Sequence, residues 1–322
     1  MIKTIEQIEK KMAASLSEAQ ARELHVTLLA CLCGSGSKYV EKTIEEFIGD
    51  FLNAKRLEGC SERSIRYYRS TLCRFADSTN SSITQVTTDE IRGYLAEYRN
   101  LNGAGNITID NVRRVLSSFF SWLEEEDFIY KSPVRRIKKI RSTRMLKPVY
   151  SDESLEDLRD ACTNTRDLAI IDLLTSTGIR VGELVKLNRN DMCFESRECI
   201  VRGKGDKERK VYFDARAKVH LQAYLDERID SNEALFVSLH KPFKRLEISG
   251  VELRLRHLGK NANVAGVHPH KFRRTLATRA IDKGMPIEQV QVLLGHSKID
   301  TTLCYAMVDQ ANVKQSHRKF IA

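Results

Sequence analysis

The C-terminal half of the chain carries polar side chains whose types suit chemistry on a phosphodiester. They are two arginines, two histidines, a lysine and a tyrosine: Arg180, Lys204, His270, Arg273, His296 and Tyr305. Arginine offers a rigid fork of donors to phosphate oxygens, and histidine and lysine can move protons near neutral pH. A tyrosine hydroxyl can be a covalent nucleophile once a neighbour takes its proton. Because no carboxylate cluster accompanies them, the set predicts phosphoryl transfer without a metal ion.

Each of these residues also has a plain structural interpretation when it is taken alone. Arg180 and Glu183 stand three residues apart, the spacing of an ion pair within a helix. Lys204 lies in a Gly-Lys-Gly turn, where most lysines are only solvated, and His270 lies where a helix could be capped. A tyrosine among apolar neighbours, as Tyr305 is, more often belongs to a core. Only the joint occurrence of the six favours a catalytic interpretation.

Helices and one hairpin are predicted to position these side chains. A capped helix starts after Ser151, and the next helix, 165–177, ends at Gly178. Residues 199–202 and 209–213 flank a glycine turn and predict a β-hairpin. Further helices are predicted over 215–229, 248–261, 271–283, 286–294 and 300–308. The second half is therefore expected to be mainly helical with one small sheet.

The first half is predicted to be entirely helical. Residues 1–33 have the pattern of one or two helices, and Gly-Ser-Gly-Ser at 34–37 marks a linker. Four amphipathic helices with short polar joins follow within 38–130, since apolar residues recur there every three or four positions. Helices of this length and spacing predict an all-α domain.

Positive charge favours a polyanionic partner. The 322 residues carry a net charge of +10, which is typical of nucleic-acid binding. The second and fourth helices present basic faces to solvent, where we expect them to contact nucleic acid and read bases in the major groove, although the charge pattern alone equally allows a merely solvated surface: Arg63, Arg66, Arg69, Arg113 and Arg114.

The segment 131–147 contains eight cations and no acid. A segment of that charge is not expected to form a core and needs water or phosphates around it. We therefore expect a hinge between two domains that lies along a nucleic-acid backbone, with contacts from Arg135, Arg136, Lys138 and Lys139.

Cysteine spacing and hydropathy exclude several classes of protein. The eight cysteines include no Cys-x-x-Cys pair, which disfavours a zinc knuckle, and their scatter suits a reducing cytoplasm better than a disulfide framework. The longest apolar stretch, 24–33, is too short to span a bilayer. We therefore expect a cytoplasmic protein of about two domains with no membrane segment and no metal.

Four sequence boxes resemble those of the tyrosine recombinases, the phage-integrase or lambda-integrase type of site-specific recombinase, and of their simple Xer-like members in particular. The boxes are TGIRVGELVKL (177–187), VRGKGDKERK (201–210), HPHKFRRTLAT (268–278) and LLGHSKIDTTLCY (293–305). The helical first half and the basic segment also look like the core-binding domain and linker of that family, so the resemblance covers about 38–322.

The resemblance implies a mainly α fold: an N-terminal helical core-binding (SAM-like) domain plus a mixed α+β catalytic domain with a small antiparallel sheet, together a C-shaped clamp on DNA. The implied order is a helical extension, the core-binding domain, the basic linker, the catalytic domain and a tail helix: 1–37, 38–130, 131–150, 151–308 and 309–322.

The resemblance also implies how the phosphate would be gripped. Arg180 and Arg273 match the two arginines that hold the scissile phosphate, and Glu183 matches a carboxylate with a structural role near the first of them. Arg274 stands where many members have histidine. This departure removes one hydrogen-bond partner and leaves the His-x-x-Arg pair whole.

The remaining roles concern proton transfer and bond making. By resemblance, Lys204 is the general acid on the leaving 5′ oxygen, and His270 and His296 assist proton transfer and hold the phosphate. Tyr305 matches the nucleophile that forms a 3′-phosphotyrosyl link. Because one phosphoester is exchanged for another, the reaction needs no cofactor.

The partners implied are double-stranded DNA with inverted-repeat core sites and further copies of the chain, as a tetramer on DNA that passes through a Holliday junction. The tail, 309–322, would dock into a neighbouring subunit, although a self-packed terminal helix fits its sequence equally well. Integration of a mobile element, excision, inversion and resolution all stay open, as does the need for a directionality factor or partner recombinase.

Three other functions compete with this interpretation. The first is a catalytically silent DNA-binding accessory protein on the same scaffold, against which the presence of all six candidate residues argues. The second is a type IB topoisomerase, which shares the chemistry but has different forms of the boxes. The third, a metal nuclease, is disfavoured by the lack of clustered acids.

Overall fold

Two units, Met1–Met145 and Leu146–Ala322, divide the chain, and each has its own hydrophobic core. The computed structural model describes residues 2–13, 15–32, 42–79, 81–142, 148–203, 208–295 and 299. Three of the six candidate residues, Lys204, His296 and Tyr305, lie outside these ranges, as do the predicted helix 300–308 and the tail. Within the described ranges, no helix combines the length and the apolar character that a membrane span requires.

Across its described residues the first unit is all-α, as predicted. The helices in this part of the chain are α1 (Ile2–Met12), α2 (Glu18–Leu32), α3 (Ile44–Leu57), α4 (Glu62–Ser78), α5 (Thr88–Asn102) and α6 (Asn106–Glu125). Thr43 and Thr87 begin α3 and α5 with capping boxes, and Ser61 caps α4. The apolar stripes that predict these helices meet in one core, in which Phe51 packs edge-on against Phe119 at 5.3 Å between ring centroids.

One of the basic residues predicted to face solvent does not do so. The side chain of Arg113 is 14 % exposed, and its Nε donates to Oδ1 of Asp110 at 2.8 Å. The same oxygen accepts the backbone N–H of Ile140 at 3.0 Å. The expectation of an open, solvent-facing side chain is wrong for Arg113 because an acid one turn earlier on α6 offers it a partner and draws it onto the helix. A contact between Arg113 and DNA stays a prediction.

The start of the basic segment is packed, which also corrects an expectation. Val134, in a 3₁₀ turn over Pro133–Arg136, is buried in the core of the first unit, and Ile137 and Ile140 pack against that core. Arg135 pairs with Glu124 at 3.4 Å, and the cations at 135, 136, 138 and 139 stay exposed. Apolar residues interspersed among the cations allow one side of the segment to be buried while the charges remain in water.

The second unit is mainly helical around one small sheet, as predicted. Its helices are α7 (Asp152–Asp160), α8 (Thr165–Thr177), α9 (Val181–Leu184), α10 (Ala215–Asp226), α11 (Ile248–Asn261), α12 (Pro269–Asp282) and α13 (Ile287–Leu294). The strands β1 (Met192–Cys193), β2 (Glu198–Arg202) and β3 (Glu208–Tyr212) form an antiparallel sheet in the order β1-β2-β3. The hairpin was expected, and β1 was not, because two residues carry no periodicity.

Helix α8 is the central element of the second unit. Ala169, Ile170, Ile171, Leu173 and Leu174 are all buried, so the helix is enclosed by its neighbours. It ends at Gly178, which has a φ of 59°. This left-handed backbone conformation favours glycine and terminates the helix. The end of this rigid helix determines where the next residues, including Arg180, are held.

Candidate active site

Arg180 follows the end of α8 and begins α9. Its backbone N–H donates to Oε2 of Glu183 at 2.8 Å, and its Nη1 donates to Oε1 at 2.9 Å. The ion pair expected from the three-residue spacing is therefore present. The Arg180 side chain is still 38 % exposed, so part of its guanidinium faces solvent while its orientation is set by the carboxylate.

Glu183 is shared with a second arginine that comes from the sheet. Arg209 of β3 donates through Nη1 to Oε1 and through Nη2 to Oε2, each at 2.8 Å. Burial by itself would raise the pKa of the Glu183 carboxyl, but hydrogen bonds from Arg209 and Arg180 outweigh it and lower this pKa to about 2. The carboxylate therefore stays ionised near neutral pH.

Arg209 was missed by the sequence reasoning, although a signal exists. It stands two residues before Val211 on β3, and Val211 is fully buried. Residues two apart on a strand face the same side of a sheet, so the arginine had to point inward. An inward arginine needs a buried acceptor, and here that acceptor is Glu183.

Arg273 lies on α12 and is almost completely buried, at 2 % exposure. Its Nη1 donates to the carbonyl oxygen of Gly178 at 2.8 Å, and its Nη2 donates to the carbonyl oxygen of Leu294. Arg273 is thus attached to the ends of both α8 and α13. It lies near Arg180 because the same glycine that ends α8 also accepts from Arg273.

The C-terminal end of α13 is held by three arginines. Its last carbonyls accept in succession from Arg209 (Leu293, 3.3 Å), Arg273 (Leu294) and Arg180 (Gly295, 3.2 Å). These carbonyls lack partners within the helix and lie at the negative end of its dipole, so cations are favoured there. The end of α13 therefore brings the three guanidinium groups together one residue before His296.

His270 lies one turn before Arg273 on α12, and its side chain is exposed. Partial desolvation lowers the pKa of the imidazole below its usual value, and the positive charges of Arg273, Arg180 and Arg274 lower it further. The lowered pKa favours the neutral imidazole, in which one ring nitrogen can accept a proton or a hydrogen bond.

Other residues of α12 hold the chain that enters the second unit. Arg274, at the position where many family members have histidine, donates to the carbonyl oxygen of Pro148 at 2.8 Å. The hydroxyl of Thr275 accepts the backbone N–H of Tyr150 at 2.9 Å, and the Lys271 ammonium lies 4.3 Å from the centroid of the Tyr150 ring. Arg274, Thr275 and Lys271 therefore hold the segment 148–150 against α12.

A separate polar groove of about 570 Å³ lies on the first unit between α4 and α6. Arg63, Arg114, Tyr67 and Asn111 line it together with serines. Arg66 and Arg69 are exposed on the same helix as Arg63. Tyr67 and Asn111 were missed by the sequence reasoning, although Tyr67 follows directly after Arg66 and is 44 % exposed.

Comparison with known proteins decides the family. The family model described as "Phage integrase family" matches residues 149–312, and "Phage integrase, N-terminal SAM-like domain" matches residues 47–129. The chain belongs to the phage integrase family. The expected tyrosine recombinase family and the enzyme class of DNA strand transferase are confirmed. The expected elements of the fold, a helical SAM-like first domain and a mainly helical second domain with one small antiparallel sheet, are confirmed as well.

Two relatives and one solved structure illustrate the similarity of this integrase-family chain. It is 28 % identical over 293 residues to "Tyrosine recombinase XerC" of Oceanobacillus iheyensis, covering 86 % of this chain and 96 % of that protein. It is 30 % identical over 277 residues to the protein of the same name in Staphylococcus aureus, with 82 % and 93 % covered. The Tn1549 transposon integrase, solved with circular intermediate DNA, shares the fold at a TM-score of 0.71 and 18 % identity, with 87 % and 99 % covered.

Proposed function

We propose that the protein is a site-specific DNA recombinase that cleaves and rejoins DNA strands through a 3′-phosphotyrosyl intermediate formed by Tyr305. The observation that carries the proposal is the convergence of Arg180 and Arg273 on the end of α13, in a chain whose sequence continues to His296 and Tyr305. The relatives named above bear the name tyrosine recombinase, which supports the same activity here.

The charge of the arginine cluster matches what this reaction needs. Arg180, Arg209 and Arg273 with the ionised Glu183 leave a net charge of +2. The phosphorane transition state gathers about two negative charges on its non-bridging oxygens, and preorganised donors are most effective where such charge develops. Loss of one charged donor of this kind typically costs roughly 10²–10³ in rate.

The bond changes balance without a cofactor. The Tyr305 hydroxyl oxygen attacks phosphorus, the bond to the 5′ oxygen breaks, and Lys204 gives that oxygen a proton. His270, whose lowered pKa favours the neutral ring, and His296 assist removal of the tyrosine proton. A free 5′ hydroxyl of a second strand then attacks the phosphotyrosine, which restores the phosphodiester and releases the enzyme.

The first unit would supply much of the DNA affinity. The groove between α4 and α6 is lined by an aromatic ring, an amide and two arginines, side chains that would read base edges in the major groove. The exposed cations at 135, 136, 138 and 139 would contact phosphates. We propose that the two units act as a clamp, that a tetramer in the cytoplasm assembles on inverted-repeat sites through the tail, and that strand exchange passes through a Holliday junction.

Covalent trapping tests the proposal. Protein is mixed, with EDTA present, with DNA from either side of its own gene that is nicked beside candidate inverted repeats, and adducts are resolved on denaturing gels. We expect an adduct with wild type and with the control Tyr212→Phe, an exposed tyrosine of β3, and none with Tyr305→Phe. An adduct that still forms with Tyr305→Phe would refute the assignment of Tyr305 as the nucleophile. A clean footprint without any adduct would favour the accessory DNA-binding protein.

A further inference from the structure

Glu183 is contacted by two arginines in unequal ways. Arg209 spans both carboxylate oxygens at 2.8 Å each, whereas the side chain of Arg180 reaches one of them at 2.9 Å. The Arg209 side chain is 14 % exposed and that of Arg180 is 38 % exposed. The carboxylate charge is therefore matched chiefly by Arg209, which lies deeper, and Arg180 keeps the more open position.

Arg209 is also in close contact with the chain just before His296. Its Nε donates to the carbonyl oxygen of Leu293 at 3.3 Å. A Cβ atom added to Gly295 would lie 2.9 Å from Cδ and 3.0 Å from Nε of Arg209, closer than side chains pack. The arginine and the backbone of Gly295, whose φ of 63° is left-handed, therefore fit against each other with no room for a side chain.

We propose that Arg209 is a positioning residue for strand cleavage: it balances the charge of Glu183, which leaves Arg180 available to the scissile phosphate, and it holds the end of α13 from which the segment with His296 and Tyr305 continues. The inference rests on the proposed function, because it names a further residue for the same reaction. No step requires Arg209 to touch DNA.

The physical reason is competition for one carboxylate. A buried carboxylate must be paired, and among the contacts described only Arg180 and Arg209 supply cations to Glu183. Without Arg209, Glu183 would bind Arg180 as a full ion pair, and Arg180 would then meet a phosphate with most of its charge already balanced. Neutralising Glu183 should return that charge to Arg180.

The first test replaces the guanidinium with an apolar side chain. Arg209→Met is expected to slow single-turnover formation of the covalent adduct roughly 10²-fold on the nicked DNA that wild type cleaves, with DNA affinity changed less than about threefold because most affinity comes from other phosphate contacts. Arg209→Lys keeps the positive charge but lacks the forked guanidinium, and its rate of adduct formation should be about tenfold below that of wild type.

Arg228 provides the matched control. It is 4 % exposed, spans both oxygens of Asp230 and donates to the carbonyl oxygen of Ala234 at 2.6 Å, so Arg228→Met removes a similar buried fork from the same unit. The folded fraction of each variant is measured as the fraction that resists thermolysin, and the cleavage rate is divided by it. On this scale Arg228→Met should cleave DNA at the wild-type rate. An equal loss of rate in Arg209→Met and Arg228→Met would mean that Arg209 acts only through the general stability of the unit.

The second test separates positioning from stability. In the Arg209→Met background, Glu183→Gln should raise the cleavage rate about tenfold, since it removes the charge that competes for Arg180. A purely structural role predicts no recovery, because a second buried contact is lost. Wild-type rates in Arg209→Met and Arg209→Lys, or a double variant no faster than Arg209→Met, would overturn the inference. Absence of a Tyr305-dependent adduct in wild type would instead overturn the proposed function, and this inference with it.

Discussion

A methyl group at Gly178 tests the argument that the end of α8 holds the arginines in place. The backbone there has φ of +59°, and an added Cβ would lie 2.7 Å from Cδ2 of Leu276 and 3.3 Å from Cδ2 of Leu294. Gly178 and Leu294 are also the two residues whose carbonyls accept from Arg273. Gly178→Ala therefore disturbs both acceptors of one buried guanidinium.

The magnitude follows from two contributions. A left-handed alanine costs about 1–2 kcal/mol, of which about 0.4–1 kcal/mol is offset because alanine restricts the unfolded chain. Crowding against two leucines adds about 1–2 kcal/mol, near the lower part of the usual range for overpacking, because leucine ends can turn. Gly266 has a φ of +64° and nothing within 4 Å of an added Cβ. Gly266→Ala therefore has the backbone cost of a left-handed alanine but not the cost of crowding. We thus expect about 2–3 kcal/mol for Gly178→Ala and about 1 kcal/mol for Gly266→Ala.

Urea unfolding followed by far-ultraviolet circular dichroism compares the two variants, which lie in the same unit. Adduct formation is measured in parallel under conditions in which both are folded. Displacement of the Arg273 acceptors by a few tenths of an ångström should slow cleavage by Gly178→Ala about tenfold, whereas Gly266→Ala should stay within about twofold of wild type. Equal midpoints and equal rates for the two variants would refute the reasoning.

Three other variants report on separate contacts. Asp110→Asn should destabilise the first unit by about 1–2 kcal/mol, since Arg113 loses its charge partner, and should speed tryptic cleavage in 131–147. A urea midpoint, followed by Trp122 fluorescence, and a digestion rate both equal to those of wild type would contradict this. Folding lowers the pKa of His270 from its usual value of 6.5. As the pH falls below 6.5, the imidazole is therefore protonated in the unfolded chain before it is protonated in the folded protein, and the free energy of unfolding decreases. The urea midpoint should drop more between pH 7.5 and 5.5 in wild type than in His270→Gln. Arg66→Ala should weaken DNA binding several-fold, reduce the salt slope by about 1 and leave cleavage of prebound DNA intact; a dissociation constant equal to that of wild type at every salt concentration would remove the assignment.

Much of the fold follows from local patterns in the sequence. The prediction for α8, 165–177 with a stop at Gly178, matches the structure at both ends, because an asparagine cap and a glycine stop act within one turn of the helix. The hairpin strands were predicted from the glycine turn between them. The helix over 248–261 has the predicted bounds, although no side chain caps its first turn. The predicted helix over 215–229 ends three residues early, at Asp226, where no local signal marks the end.

The four boxes likewise determine the chemistry to be expected, since residue types and their order are visible without coordinates. What they leave open is which charged groups share a partner. The Arg180–Glu183 pair is predictable because its members are one helical turn apart. The stronger contact of Glu183, to Arg209, joins residues that are 26 positions apart, and no periodicity in the sequence relates them.

Tertiary packing decided the rest because it brings distant acceptors to each charge. Helical spacing places Arg113 among exposed arginines, yet the backbone of residue 140 folds back onto Asp110 and the pair becomes largely buried. In the same way, Arg180, Arg209 and Arg273 arrive from α9, β3 and α12 at the end of one helix. Helix and strand formation are local and visible in the sequence; the pairing of buried charges depends on which elements pack together, and that follows only from the folded core.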